Sequence, residues 1–223
     1  MNLLIVLAHP DPDSFSRAVA DGLARGATES GEHDSEIADL AREGFDPRMQ
    51  APDLAAYRTK VPPPEDVLRE QTRIERADAI ALVYPVYWWS MPALLKGWID
   101  RVFTGGWAYE VDAAGHASGK LADRPIHLLQ IGGADRAGYD KHGYRTAMET
   151  QIDQGIFHWC GLRSVHAHLL DESESPDGAV RSAHLEMAYQ LGRTILAPPP
   201  DLAREVRAVP ADRPADAAAH ARP

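Results

Sequence analysis

The chain has 223 residues, of which 44% are hydrophobic and 25% are charged, a composition typical of a soluble globular protein. Its formal net charge of −10 argues against non-specific nucleic-acid binding, because such binding needs a basic surface. The single cysteine, Cys160, excludes an internal disulfide framework and favours a reducing compartment. No apolar run is long enough for membrane insertion and no leader pattern precedes the first apolar run, so we expect a cytoplasmic protein.

Apolar runs bounded by turn residues alternate with helical patterns along the chain. The runs that predict buried strands are Leu3–Ala8, Glu36–Leu40, Ala79–Tyr84, Ile126–Ile131 and Val165–Leu170. The patterns that predict helices are Arg17–Arg25, Glu65–Arg76, Pro92–Phe103, Tyr144–Cys160 and Val180–Leu196. This alternation predicts an α/β fold, an open parallel sheet with helices on both faces.

Three segments lie outside that pattern. Phe45–Pro64 is rich in proline and is predicted to be irregular, and Gly105–Arg124 is a glycine-containing excursion. Ala197–Pro223 is rich in Ala, Pro, Arg and Asp, and it cannot bury enough apolar surface to offset its ordering entropy. We therefore expect one domain over residues 1–196 and a disordered tail over residues 197–223.

The loop after the first strand has the chemistry of an anion site. Ser14 is a good N-cap for the helix that follows, and the first N–H groups of a helix are unpaired donors at the positive end of its dipole. The loop has neither the glycines of a dinucleotide fingerprint nor those of a P-loop. A phosphate held by hydroxyls and backbone N–H groups is how flavodoxin-like folds hold flavin.

The loop after the third strand places Tyr87, Trp88 and Trp89 between two prolines. Three adjacent aromatic residues at a strand end cannot all point into one core, so they either pack against neighbouring loops or form a platform for a planar ring. A flavin fits the second interpretation, because its flat ring needs an apolar face and main-chain contacts.

Ligands in open parallel sheets bind beyond the carboxyl ends of the strands. The loops after the first, third and fourth strands, His9–Ser16, Pro85–Met91 and Gly132–His142, are the most unusual stretches of the chain. Their shared position predicts one ligand site. No spacing of histidine, cysteine or carboxylate residues predicts a metal site.

These motifs resemble those of the NAD(P)H dehydrogenase (quinone) family. The likeness covers roughly residues 2–196 and is most specific over residues 85–103, with Gly105–Tyr109 and Gly155–Gly161 extending it. It implies a flavodoxin-like three-layer fold with strand order 2-1-3-4-5, a homodimer, and two-electron reduction of quinones by NADPH or NADH through a flavin.

The resemblance also assigns roles to individual residues. His9, Ser14, Phe15 and Ser16 correspond to the segment that holds the flavin phosphate. The segment lining the flavin ring corresponds to Pro85, Val86, Tyr87, Trp88 and Trp89.

Two glycines and two titratable residues complete this expected site. Gly132 and Gly133 correspond to the pair that lets the backbone approach the ring, the alternative being a turn that needs positive φ. Where the family has two threonines before them, this chain has Gln130 and Ile131. Tyr139 and His142 correspond to the catalytic pair that stabilises charge on the reduced ring, a role that suits a phenol and an imidazole.

Three questions stay open at this level. The Phe45–Pro64 segment resembles the region that reaches the adenosine half of FAD from the partner subunit, which favours FAD, with FMN as the alternative. The acceptor is expected to be a quinone or a similar small aromatic compound, and nitro and azo compounds are alternatives. Some relatives instead regulate potassium-efflux transporters, which would make the chain a regulatory flavoprotein subunit.

Overall fold

The computed structural model describes residues 1–59 and 61–197. In chain order its elements are β1 (Asn2–Leu7), α1 (Phe15–Thr28), β2 (Asp34–Asp39), α2 (Ala51–Thr59), α3 (Glu65–Arg76), β3 (Ala79–Pro85), α4 (Ala93–Val102), β4 (Tyr109–Val111), β5 (Ala117–Gly119), β6 (Ile126–Ile131), α5 (Arg136–Lys141), α6 (Tyr144–Met148), a π-helix (Glu149–His158), β7 (Val165–Leu170) and α7 (Gly178–Thr194). Apart from Ala197, the tail predicted over residues 197–223 lies outside the described residues.

Five parallel strands form the central sheet in the order β2-β1-β3-β6-β7. The short strands β4 and β5 form a separate antiparallel hairpin, so this order is the predicted 2-1-3-4-5. The fold class predicted from the sequence is therefore confirmed. Within the described part of the chain, no helix combines the length and apolar character that crossing a membrane requires.

Alternate residues of each inner strand enter two separate cores, one on each face of the sheet. Leu3, Ile5 and Leu7 pack with α1 and α7, whereas Leu4 and Val6 pack with α3, α4 and the π-helix. Both faces are covered, which is why these strands read as continuous apolar runs rather than as alternating patterns.

Glycines bring α1 and α7 into close contact behind the site. A Cβ at Gly26 would lie 2.1 Å from the Tyr189 carbonyl oxygen, and one at Gly192 would lie 2.2 Å from the Leu23 carbonyl oxygen. Any larger residue would force the two helices apart. This contact fixes the direction in which the N-terminus of α1 points.

The prediction that Phe45–Pro64 is irregular is wrong over Ala51–Thr59, which form α2. The sequence of this helix has no apolar periodicity, so the pattern does not predict it. A buried ion pair, rather than an apolar face, holds it against α4. The Arg101 guanidinium of α4 lies 3.0 Å from Asp53 Oδ2 and 2.6 Å from Asp66 Oδ2. The Asp53 carboxylate also accepts a hydrogen bond from Gln50 N at 2.8 Å.

The helix predicted over Tyr144–Cys160 is divided in two. Its first residues form α6, and Glu149–His158 continue as a π-helix, after which Trp159 and Cys160 lie in a turn. Helical periodicity in a sequence does not distinguish α from π winding. Such wide turns are rare and occur frequently at functional sites.

Three histidine rings stack at the β6–β7 side of the sheet. The His127 ring lies 4.8 Å from that of His166 and 5.4 Å from that of His168, and His127 Nδ1 is 3.1 Å from His168 Nε2. Burial, followed by the charges of His168 and His166, lowers the pKa of His127 to about 3. Burial also lowers the pKa of His168.

This cluster predicts that acid destabilises the fold. Between pH 6.5 and 3 the unfolded chain binds a proton that folded His127 does not, so the free energy of unfolding falls as pH falls. Replacing His127→Gln should make that fall shallower by up to ~1.4 kcal/mol per pH unit, as measured by urea unfolding from pH 7 to 4. His116→Gln, on an exposed side chain of the β4–β5 hairpin, is the control. Equal slopes for the two variants would contradict this account.

Candidate functional site

The carboxyl ends of β1, β3 and β6 meet at one edge of the sheet. Ala8 N, just past β1, donates to Val83 O at 3.1 Å, and Val86 N, just past β3, donates to Ile131 O at 2.8 Å. These bonds extend the ladder beyond the strands and hold the three loops side by side. The loops predicted to share a site are therefore neighbours.

The N-terminus of α1 presents free donors at this edge. Ser14 caps the helix, its Oγ accepting from Arg17 N at 3.2 Å. The N–H groups of Phe15 and Ser16 have no acceptor among the described residues. Free N–H groups at a helix N-terminus, with two serine hydroxyls beside them, suit an anion such as a phosphate.

His9 lies in the same loop and shapes it. Its Nδ1 accepts from Asp11 N at 3.0 Å, which assigns the proton to Nε2. The loop-capping role and a ligand role are therefore compatible, because one ring nitrogen orders the loop and the other is left as a donor.

Two residues of α7 that sequence reasoning missed flank this N-terminus. The Arg181 guanidinium lies over the Phe15 ring at 4.7 Å, and the His184 ring lies 6.5 Å from that of Phe15. No motif in the sequence marks them, because only the packing of α7 on α1 brings them there. They place cationic or titratable groups close to the free donors.

The loop after β3 is a tight turn with unusual backbone angles. Tyr87 and Ser90 exchange two N–H···O bonds of 3.1 Å, and Trp88 and Trp89 between them have φ of 50° and 59°. Two central residues at positive φ are typical of a type I′ turn, which usually takes Asn-Gly. Bulky residues in this conformation cost roughly 1–2 kcal/mol each.

Aromatic contacts offset this cost. The Trp89 ring stacks on Tyr144 with centroids 3.8 Å apart and planes within 8°, and it meets Tyr139 edge-on at 5.1 Å. Each of the two aromatic pairs contributes ~0.5–1.5 kcal/mol. The side-chain hydrogen bond from Ser90 to Gln151 adds ~1 kcal/mol. Together these contributions are comparable with the cost of the left-handed backbone.

The three aromatic residues of this turn have different surroundings. Trp89 is half-buried, Tyr87 is 49% exposed and Trp88 is 93% exposed. Packing against protein therefore accounts for Trp89, whereas Trp88 has a free face at the sheet edge. The interpretation as packing against neighbouring loops therefore describes Trp89. The interpretation as a platform for a planar ring suits Trp88.

Gly132 and Gly133 follow β6 directly. Neither has positive φ, so the alternative explanation by turn conformation is wrong. A Cβ at Gly132 would lie 2.2 Å from the Tyr139 hydroxyl, whereas one at Gly133 would lie 3.2 Å from the flexible carboxylate of Glu174. Gly132 is thus required by the close approach of Tyr139, and Gly133 leaves open backbone beside the turn.

Tyr139 and His142 are placed differently. Tyr139 is 1% exposed, and together with Val86, Trp88, Trp89, Gly133 and Ala134 it lines a small cavity of about 150 Å³. Burial and the charge of Asp171 raise the pKa of its phenol, so it stays a donor at neutral pH. His142 ends α5 with an exposed ring 5.4 Å from that of Tyr144, and it does not line this cavity.

Gln130, which stands at one of the two positions where the family has threonine, makes a contact inside the protein. Its side chain is buried and donates through Nε2 to the Tyr84 hydroxyl at 3.1 Å. The side chain therefore enters the core on the α3 and α4 face, among residues such as Tyr84. The Gln130 side-chain amide is thus engaged by a contact within the core.

The sequence profile of a family described as having a flavodoxin-like fold matches residues 1–191. The chain belongs to this flavodoxin-like family. Its sheet order and its site at the carboxyl edge are those of this fold.

The names of individual relatives are more specific than the description of the family. The chain is 32% identical over 191 residues to a protein of Haemophilus influenzae named an uncharacterized NAD(P)H oxidoreductase, covering 85% of this chain and 93% of that one. It is 29% identical over 186 residues to NAD(P)H dehydrogenase [quinone] 1 of Cavia porcellus, covering 74% of this chain and 66% of that one.

A solved structure agrees with these relatives. The NAD(P)H:quinone oxidoreductase from Methanothermobacter marburgensis superposes with a TM-score of 0.78 at 32% identity, covering 86% of this chain and 98% of that one. The resemblance drawn from the sequence motifs is confirmed, and this flavodoxin-like chain is an oxidoreductase.

The two glycines after β6 provide a matched test of the site geometry. Gly132→Ala should displace Tyr139 and, through it, Trp89, which would cost ~1–3 kcal/mol of stability and change the near-ultraviolet circular dichroism of the tryptophans. Gly133→Ala meets only a flexible side chain and should stay within ~0.5 kcal/mol of the wild type. Thermal unfolding and the dichroism of both variants check this, and equal losses would show that Tyr139 does not set the requirement.

Proposed function

We propose that this chain is a flavin-dependent NAD(P)H oxidoreductase that reduces quinones by two electrons in a ping-pong cycle. The observation that supports it most is the meeting of two features at one sheet edge. Free N–H donors at the start of α1 suit a phosphate, and the exposed Trp88 beside open backbone suits a planar ring. The names of the relatives agree with this chemistry.

The phosphate half of the flavin would be held at α1. Phe15 and Ser16 offer backbone N–H groups, Ser14 and Ser16 offer hydroxyls, and His9 offers Nε2. Short-range donors of this kind suit a flavin phosphate. Arg181, packed on the Phe15 ring, adds positive charge nearby.

The ring would lie against the turn that follows Pro85 and against Gly133. Val86, Tyr87, Trp88 and Trp89 would provide the apolar surface. Gly133 would provide backbone that no Cβ shields, and Gly132 beside it makes room for the Tyr139 hydroxyl. A bound flavin would supply the redox chemistry, taking two electrons and a proton from NADPH or NADH and giving them to the quinone. The chain binds and orients the reactants and excludes water from the covered face.

Tyr139 and His142 are the proposed catalytic residues. The Tyr139 hydroxyl beside Gly132 remains protonated, because burial raises its pKa, and it can stabilise negative charge on a nearby ring edge. The exposed His142 imidazole is a side chain that can donate or accept a proton.

The cofactor is proposed to be FAD, with FMN as the alternative. The segment that favours FAD is anchored rather than loose, since α2 is held to α4 through the Asp53–Arg101 pair. The anchored helix presents Tyr57 with 68% of its surface exposed.

A homodimer is proposed from the apolar surface around that helix. This patch consists of exposed residues in and beside α2, in the β4–β5 hairpin and directly after the π-helix, namely Met49, Leu54, Tyr57, Val61, Val111 and Trp159. Two adjoining cavities of about 340 and 630 Å³ lie between these elements. An exposed apolar surface of this kind is typical of a protein interface.

Anaerobic mixing of flavin-loaded protein with NADPH and then menadione tests the activity. The flavin absorbance should bleach and then recover fully, and chromatography of the released flavin distinguishes FAD from FMN. Protein that takes up no flavin would overturn the proposal. Flavin that stays oxidised with both NADPH and NADH would favour the regulatory role, and recovery only with azo or nitro acceptors would favour those substrates.

The same experiment tests the two catalytic residues. Tyr139→Phe and His142→Gln should each retain flavin but slow its reduction by about tenfold or more, because each removes a donor or proton carrier. Tyr189→Phe and His116→Gln, which lie on α7 and on the β4–β5 hairpin, should leave the rate unchanged. A wild-type rate in either catalytic variant would remove that residue's role.

Two exposed leucines give a matched test of the dimer. Leu54 on α2 and Leu68 on α3 are each 40% exposed, but only Leu54 belongs to the patch. Leu54→Glu should shift the protein from dimer to monomer in sedimentation velocity, because it buries a charge at the interface, whereas Leu68→Glu should not. A wild-type chain that sediments as a monomer would contradict the dimer.

A further inference from the structure

The strained turn Tyr87–Ser90 is fastened to the rest of the molecule by two residues to which the proposed function gives no role. One is Tyr144, the first residue of α6, and the other is Gln151 in the π-helix. Tyr144 stacks on Trp89, and Gln151 accepts a hydrogen bond from Ser90. Their contacts bear on how the turn keeps its shape.

Tyr144 holds Trp89 by its ring face. The two rings are nearly parallel, with planes within 8° and centroids 3.8 Å apart. The preceding residue, Gly143, has φ of 69° and a Cβ position with no atom within 4 Å. This left-handed glycine joins α5 to α6 and directly precedes Tyr144, so the chain turns at the residue before the stacked ring.

Gln151 holds the other end of the turn. Ser90 Oγ donates a hydrogen bond of 2.7 Å to Gln151 Oε1, across 61 residues of sequence. Ser90 is also the residue that closes the turn by exchanging backbone hydrogen bonds with Tyr87. The stack with Tyr144 thus fixes Trp89, the third residue of the turn. The hydrogen bond to Gln151 fixes Ser90, its last residue.

Neither of these two contacts involves the Trp88 side chain. It is 93% exposed while its neighbour Trp89 is pinned between Tyr144 and Tyr139. If Trp89 were released, the backbone could leave its left-handed conformation, because the strain would no longer be offset. The Trp88 ring and the N–H groups of the turn would then change direction together.

We propose that Tyr144 and Gln151 are positioning residues, which clamp the Tyr87–Ser90 turn so that Trp88 presents one fixed face to the ligand. This rests on the proposed function insofar as the ligand is a flavin. The clamp acts through the turn, and neither residue is required to touch a ligand.

Removing the stacked ring should loosen the turn. In Tyr144→Leu, the near-ultraviolet dichroism of the flavin-free protein should change, and reduction of bound flavin at saturating NADPH should slow by about tenfold, since small misplacements are costly in rate. Tyr144→Phe keeps the stack and should stay within about twofold of the wild-type rate. The KM for NADPH should change less than the rate constant.

Gln151→Leu provides the second arm, with Gln154→Leu in the same helix as its control, since Gln154 is exposed. Gln151→Leu should slow flavin reduction severalfold and Gln154→Leu should not. Because both clamp residues act on one turn, the combined Tyr144→Leu and Gln151→Leu variant should lose less than the product of the single effects. Exact multiplicativity would overturn a shared action.

Other outcomes also decide. Wild-type dichroism and rate in Tyr144→Leu, or an equal loss in Tyr144→Phe, would overturn the clamp, because the first removes the effect and the second assigns it to the hydroxyl. If Tyr144→Leu does not fold, Gln151→Leu and its control decide. A chain that binds no flavin would end the proposed function, yet the dichroism of the flavin-free variants would still test the clamp.

Discussion

The left-handed backbone at Trp88 and Trp89 is the constraint on which the site depends. A type I′ turn normally takes Asn and Gly because their backbones reach positive φ at little cost. The strain of two tryptophans there is offset by the contacts of Trp89 with Tyr139 and Tyr144, together with the Ser90–Gln151 hydrogen bond. The strain and the aromatic cluster therefore have to be understood together. The turn also holds apart two adjacent side chains, of which one packs and the other is exposed.

The same cluster explains the sequence after β6. Tyr139 can meet Trp89 edge-on only if its hydroxyl passes over Gly132, where a Cβ would lie 2.2 Å away. The glycine is thus part of the support for the β3 turn, although it belongs to another strand. A loop from β3, a glycine after β6 and a helix from later in the chain form one packed unit at the carboxyl edge of the sheet.

The sequence was sufficient for features that depend on local patterns. Apolar runs such as Ile126–Ile131 predict strands because both faces of a parallel sheet are buried. The site edge followed from Ser14 and the aromatic loop. Sequence reasoning failed for α2, which has no apolar stripe and depends on the distant Arg101. It also missed Tyr144 and Arg181, because a stack or a cation over a ring is created by tertiary packing and leaves no periodicity.

Charge acts on this site locally rather than globally. The chain carries a net charge of −10, which would repel an anionic ligand at long range. Such fields decay over ~8 Å at physiological salt, whereas donors such as Phe15 N and Ser16 N act at hydrogen-bond distance. Arg17 contributes little, because Asp21 and Asp39 already pair with it, while Arg181 lies on the Phe15 ring. An acidic protein can therefore hold a phosphate group, provided that the helix N-terminus is fixed, and the glycine contacts between α1 and α7 fix it.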